Sequence, residues 1–265
     1  MGAVLGDEDE QRNEGSKTTG ETVAEAFFLA GVGGEEPELE DLSRRVERHL
    51  TLIPVEYPAA GARGAVLSNM RVTAQVVASD ILRRPASGAV SLVGYSFGGS
   101  LALEVANQLT SAGRTVGFLG ILDAPFGMEE LRGLFEVLRL STAARRAAKK
   151  MVEASAASEV TLRLMSAAAS PTVIGLNRAE PVRRALLTHL RTKALAGWEP
   201  EACRAPGVLI CTGVLGDANR DRWMSLCPNL SYVQVDSEHE TLLMGDSMDR
   251  VAAALVEAIQ GTGTR

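Results

Sequence analysis

The chain has 265 residues, of which 46% are hydrophobic and 23% charged, with a net charge of −6 and a sequence pI near 5.3. That is enough for one large domain with a full core, and the acidic balance, with no basic run interleaved by aromatics, argues against a nucleic-acid surface. No apolar run reaches membrane length, and three cysteines (Cys203, Cys211, Cys227) match neither a disulfide framework nor zinc spacing, so a reduced, cytoplasmic setting without metal or bound cofactor is expected.

Residues 1–20 are polar and acidic and read as a disordered leader or linker. The ordered domain is expected over 21–265. Val23 to Leu29 reads as a strand, followed by the loop Ala30-Gly31-Val32-Gly33-Gly34. Pro37 then opens a helix in which Leu39, Leu42, Val46 and Leu50 keep helical spacing. Leu52 to Val55 is a short strand. A helix from Val66 to Arg83 follows, stopped by Pro85, and a strand enters at Val90.

Residues 90–99 read Val-Ser-Leu-Val-Gly-Tyr-Ser-Phe-Gly-Gly. An apolar run enters Gly94-Tyr95-Ser96-Phe97-Gly98, and a helical stretch leaves it. This is the layout of a nucleophile elbow, in which a sharp strand-to-helix turn presents a serine at the top of the sheet. Glycine supplies 26 of the 265 residues, so the five-residue pattern alone is a weak signal. The strand before it and the helix after it make it strong. The bland alternative is a glycine-rich turn with an incidental serine.

The helix is expected to end near Ala112-Gly113, and Val116 to Leu122 is another buried strand. Strands and helices thus alternate from residue 23 to 123, which implies a parallel sheet with helices on both faces. From Met128 to Ala196 no strand-like run appears. Helical segments rich in Ala, Leu and Arg suggest an insertion over about 127–197, read as a lid over Ser96. The short basic run Arg145 to Lys150 within it reads as a solvated helix face. After Trp198 the alternation resumes with strands at Val208–Thr212 and Ser231–Val235 and a closing helix over Ser247–Ile259.

A serine hydroxyl needs a base to become a nucleophile. Of three histidines, His49 falls near the end of the first expected helix, where a dipole contact explains it, and His189 falls in the insertion. His239 follows the last strand, at the same sheet edge as Ser96, and the order Ser, acid, His fits α/β-hydrolases. Two carboxylates suit the orienting role: Asp123, which ends the strand after the elbow, and Asp217, just past the Val208–Thr212 strand. Spacing leaves both open. An oxyanion hole needs two convergent backbone N–H groups. The residue after the serine, Phe97, supplies one, and the loop around Gly31 is expected to supply the other.

Together these stretches resemble the thioesterase domains that end nonribosomal peptide and polyketide synthases. The resemblance rests on Phe27 to Gly34, Gly94 to Ala106, Gly113 to Val116, Leu122-Asp123-Ala124-Pro125 and His239 to Leu243, and spans roughly residues 23–260. It implies an α/β-hydrolase fold, a mostly parallel sheet flanked by helices with a helical lid insertion. It favours Asp123 as the acid, giving Ser96, Asp123 and His239 as catalytic residues. It also implies an acyl, peptidyl or polyketide chain carried on the phosphopantetheine arm of a carrier protein as substrate. The Gly-Tyr-Ser-Phe-Gly-Gly form is closer to terminal synthase domains than to free-standing editing thioesterases. The rival readings are an esterase acting on small free esters and a hydrolase-fold interaction module with an idle serine.

Overall fold

The computed structural model describes residues 23–57, 68–84, 88–126, 187–188 and 190–262. The expected leader (1–20) and His189 fall outside these residues, as does the expected lid (127–197) except for its last residues. Of the latter, residues 190–196 are helical.

Six strands form one sheet: β1 (Ala24–Leu29), β2 (Leu50–Pro54), β3 (Val90–Tyr95), β4 (Val116–Leu122), β5 (Gly207–Cys211) and β6 (Leu230–Gln234). All five pairings are parallel, in the order β2-β1-β3-β4-β5-β6. The chain moves from β1 to β2 in one direction. It then crosses back over β1 to β3 and continues the other way. The order therefore reverses between β1 and β3, so the loops leaving these two strands diverge and open a crevice at the carboxyl edge. The expected oxyanion loop leaves β1, and Ser96 leaves β3.

Alternation along the strands feeds two cores. Leu92, Leu119, Ile121 and Leu209 face α2 (Met70–Arg83) and α3 (Phe97–Ser111). Val93, Phe118, Leu122 and Ile210 face α1 (Leu39–Val46) and α5 (Gly245–Thr262), which bury Leu42, Val46, Val251 and Leu255. The α1 sequence suits its place: Glu40 and Asp41 lie in the first turn and Arg44 and Arg45 in the last, complementing the helix dipole. Asn69 caps α2 by accepting from the Val72 N–H at 3.1 Å. Among the described residues, no helix is long and apolar enough to cross a membrane.

Three local expectations are corrected. The first helix stops at Val46, and Leu50 begins β2, where it pairs with Ala24. Its helical spacing is a coincidence of two buried elements meeting at a short turn. His49 therefore lies in that turn, hydrogen-bonded through Nδ1 to Gln260 Nε2, and not in a helix. The second helix starts at Met70, because Asn69 caps it there, rather than at Val66. A helix absent from the sequence reading, α4 (Gly216–Leu226), follows β5.

Candidate active site

The elbow is built by close backbone approach. A Cβ on Gly94 would lie 2.2 Å from Gly98 O, and one on Gly98 would lie 2.0 Å from Leu29 O, so only glycine lets β3, α3 and the end of β1 pass at these points. Ser96 sits between them at φ 54°, ψ −125°. A non-glycine residue held there stores strain of order 1–3 kcal/mol, which surrounding contacts must offset. One is the Ser96 N–H donating to Leu122 O at 2.8 Å.

Asp123 comes directly after β4 and also has positive φ, 44°. Its N–H donates to Ile210 O at 2.7 Å. Its side chain is fully buried and accepts from three donors: Thr212 N–H at 2.7 Å, Thr212 Oγ1 at 2.9 Å and His239 Nδ1 at 2.7 Å. A carboxylate can only accept, so the imidazole carries its proton on Nδ1 and presents a bare Nε2. That Nε2 lies 3.0 Å from Ser96 Oγ, and Ser96 and His239 are each 4% exposed. His239 opens a short 3₁₀ turn after β6. Tyr95 fixes it from below, donating its hydroxyl to His239 O at 2.6 Å and stacking its ring on the imidazole at 5.1 Å. A hydroxyl, an imidazole and a carboxylate in this relay can move the serine proton onto nitrogen while keeping the resulting cation beside a negative charge.

The structure thus brings Ser96, Asp123 and His239 together. It places Asp217 elsewhere: an exposed residue in the first turn of α4, paired with Arg220 at 2.8 Å. What α4 contributes instead is support for the segment after Asp123. Asn219 accepts from the Phe126 N–H and donates to Ala124 O, and Trp223 Nε1 also donates to Ala124 O, at 2.8 Å.

Phe97 is the first residue of α3, so its N–H belongs to the unpaired donors of a helix start. Gly31 lies across from it: a Cβ there would stand 3.7 Å from Ser96 Cβ. The Glu36 carboxyl hydrogen-bonds the Gly31 backbone. Burial, with Glu38 beside it, pushes Glu36 up to about 8. A cavity of about 550 Å³ opens beside this loop, with Glu36, Tyr57, Leu187 and Arg191 among its walls.

Sequence reasoning did not single out Tyr95, Thr212, Tyr57 or Arg191. Thr212 had one available signal, as it follows the strand beside the one that ends at Asp123. Burial raises the Cys211 and Cys227 thiols to about 12, so neither competes as a nucleophile near neutral pH. Among the described residues, no group of His, Cys, Asp or Glu is placed to hold a metal.

A family model described as a thioesterase domain matches residues 27–168, more than half of the chain. Enterobactin synthase component F of Escherichia coli K12 is 30% identical over 82 residues, covering 31% of this chain and 6% of that protein. Its counterpart in E. coli O157:H7 is 28% identical over 127 residues, 45% of this chain and 10% of that protein. The chain therefore spans a tenth or less of the curated relatives it matches. Among solved structures, the NocB thioesterase domain of the nocardicin cluster superposes with a TM-score of 0.65 at 20% identity, covering 91% of this chain and 95% of that one. The RedJ thioesterase of the prodiginine pathway in Streptomyces coelicolor gives 0.63 at 18% identity, covering 89% and 86%. At such identities the likeness speaks for the fold.

Proposed function

The chain belongs to the thioesterase domain family, hydrolases that act on thioesters, and on that premise we propose that it releases an acyl, peptidyl or polyketide chain from the phosphopantetheine arm of a carrier protein through an acyl-enzyme on Ser96. The single observation that carries this reading is the buried relay from Ser96 Oγ through His239 to Asp123, beside a glycine-rich loop at the sheet's switch point.

In the first half-reaction His239 Nε2 takes the proton as Ser96 Oγ attacks the thioester carbonyl. Asp123 holds the imidazole tautomer and stabilises the imidazolium. The Phe97 N–H and a loop N–H near Gly31 hold the oxyanion, each stabilising it by about 3–4 kcal/mol. Collapse breaks the C–S bond, and His239 returns the proton to the departing phosphopantetheine thiol. Water, an amine or a hydroxyl then attacks the Ser96 ester, with His239 again acting as base. Hydrolysis and cyclisation differ only in that second nucleophile.

The helical lid expected over 127–197 follows Asp123 in the sequence, and a role for it in shielding the acyl chain is part of this proposal. The partner is an acyl or peptidyl carrier domain. The similarity to enterobactin synthase component F and to NocB and RedJ supports a place in natural-product assembly. The three cysteines are free and buried, which supports a reducing, cytoplasmic compartment.

The test compares kcat/KM for one acyl chain presented as an acyl-carrier thioester, an acyl-phosphopantetheine thioester and a simple oxyester. The proposal expects the carrier thioester to be the best substrate. Equal or better turnover of the oxyester, with no gain from the carrier, makes the protein a general esterase.

A further inference from the structure

The loop proposed to supply the second oxyanion donor is held by side chains from outside it. A trans peptide points its C=O and N–H in opposite directions, so a bond to a carbonyl also aims the next residue's N–H. The Tyr57 hydroxyl donates to Ala30 O and so orients the Gly31 N–H, which the Glu36 carboxyl accepts. The Gly34 N–H donates to Gly31 O at 2.9 Å and so orients the Val32 N–H. Arg191 Nη1 donates to Val32 O at 2.6 Å and fixes the following peptide. Every peptide plane from Ala30 to Gly33 is therefore pinned.

The two outside clamps are joined. The Arg191 guanidinium lies 4.7 Å over the Tyr57 ring, and Arg191 is only 3% exposed. Burying a guanidinium is costly unless its donors are used, so the arginine is held where the Val32 carbonyl accepts from it. The loop is shaped to receive it: Gly34 has φ +84°, and a Cβ there would fall 2.7 Å from Arg191 Nη1. Arg191 comes from the helical segment 190–196, outside the sheet.

We propose that Arg191, acting with Tyr57 through the carbonyls of Val32 and Ala30, is a positioning residue that fixes the peptides on either side of the Val32 N–H, holds that N–H for the oxyanion and so ties oxyanion stabilisation to the helical segment 190–196. This rests on the reading of Ser96 as the acylated nucleophile. Arg191 is a positioning residue and not a catalytic one, because its role here runs through the Val32 carbonyl it holds. Removing an oxyanion donor outright lowers kcat by about 10²–10³, so letting the loop drift is expected to cost roughly ten- to hundredfold.

The experiment measures two reactions with different needs. Thioester turnover forms an oxyanion. Alkylation of a Ser96→Cys variant by iodoacetamide displaces iodide at a saturated carbon and forms none. It still requires the thiol, His239 and an open site. Arg191→Met and Tyr57→Phe are made in both backgrounds, the second removing a single oxygen. The proposal expects each to lower thioester kcat by roughly ten- to hundredfold, with KM within about twofold and the alkylation rate unchanged. It also expects the double variant to lose less than the product of the single losses, because both clamps serve one loop. Equal losses in turnover and alkylation would mean a merely structural role and overturn the proposal, as would unchanged turnover in both variants. If the unmodified protein turns over no thioester while Ser96→Cys alkylates normally, the reading of function has failed and the proposal falls with it.

Discussion

Asp123→Asn probes the relay most sharply, because the structure dictates which way the new amide must sit. Asp123 now accepts from three donors, two on Thr212 and one on His239. Asparagine has one accepting oxygen. If its NH₂ faced the Thr212 N–H, two donors would meet at 2.7 Å, at a cost of about 1–3 kcal/mol for the unsatisfied buried group. The oxygen therefore stays on Thr212 N–H, and the NH₂ faces the Thr212 hydroxyl, which can rotate to accept, and His239 Nδ1. The imidazole must then accept at Nδ1 and carry its proton on Nε2, aimed at Ser96 Oγ. A base in that tautomer cannot take the serine proton. The expected loss is about 10⁴ in kcat, close to 5.4 kcal/mol of transition-state stabilisation. Thiol release from an acyl-phosphopantetheine thioester, followed by a chromogenic disulfide, reads it, with circular dichroism to verify the fold. Asp217→Asn serves as the control and is expected to stay within about twofold of the parent, since Asp217 is exposed and pairs with Arg220 on the surface. Retention of a tenth of the activity by Asp123→Asn, together with a large loss in Asp217→Asn, would refute the reasoning.

Other outcomes follow from the same geometry. Gly98→Ala places a Cβ 2.0 Å from Leu29 O and 2.4 Å from Ala30 O, both backbone atoms. The loop must move by more than 1 Å, so a destabilisation of about 1–3 kcal/mol in urea melts and a roughly hundredfold loss of turnover are expected. Glu36 binds its proton more tightly folded, near pH 8, than unfolded, near its ordinary 4.5. The folded state thus holds more protons across that window, and this group's contribution to stability is full below pH 4.5 and is lost as pH rises to 8. Thermal melts from pH 5 to 8.5 should show a shallower decline for Glu36→Gln than for the parent protein. An equal decline in both would remove Glu36 as its source.

Much of the fold was legible because short-range pattern and long-range burial agree. The β4 strand has the bounds its apolar run suggests, and the glycines flanking Ser96 mark a backbone approach that no other residue permits. Asp123 and His239 could be named as candidates because each follows a strand of one parallel sheet, which brings them to one edge, but spacing left Asp217 open beside Asp123 and the family resemblance made the choice. The helix α4 was missed because Gly-Asp-Ala-Asn-Arg-Asp-Arg shows almost no apolar period, and only Asn219 and Trp223 of it are buried. Its stability comes from Trp223 and from bonds to Ala124 and Phe126, which are tertiary contacts without a local signature. Asp217 looked suitable for the same reason: read as loop, it sits beyond a strand end, whereas in a helix it turns to solvent. Tyr57, Arg191 and Thr212 act on partners 27, 159 and 89 positions away, a distance over which sequence spacing carries no information.

The central claim is an acyl chain borne by Ser96. Intact-protein mass spectrometry, after brief mixing with a panel of acyl-phosphopantetheine and acyl-carrier thioesters, tests it most directly, with Ser96→Ala in parallel. The predicted result is a mass increase of one acyl group in the parent protein, decaying as product appears, and none in Ser96→Ala. Turnover without any such adduct, or an adduct that persists in Ser96→Ala, would contradict it.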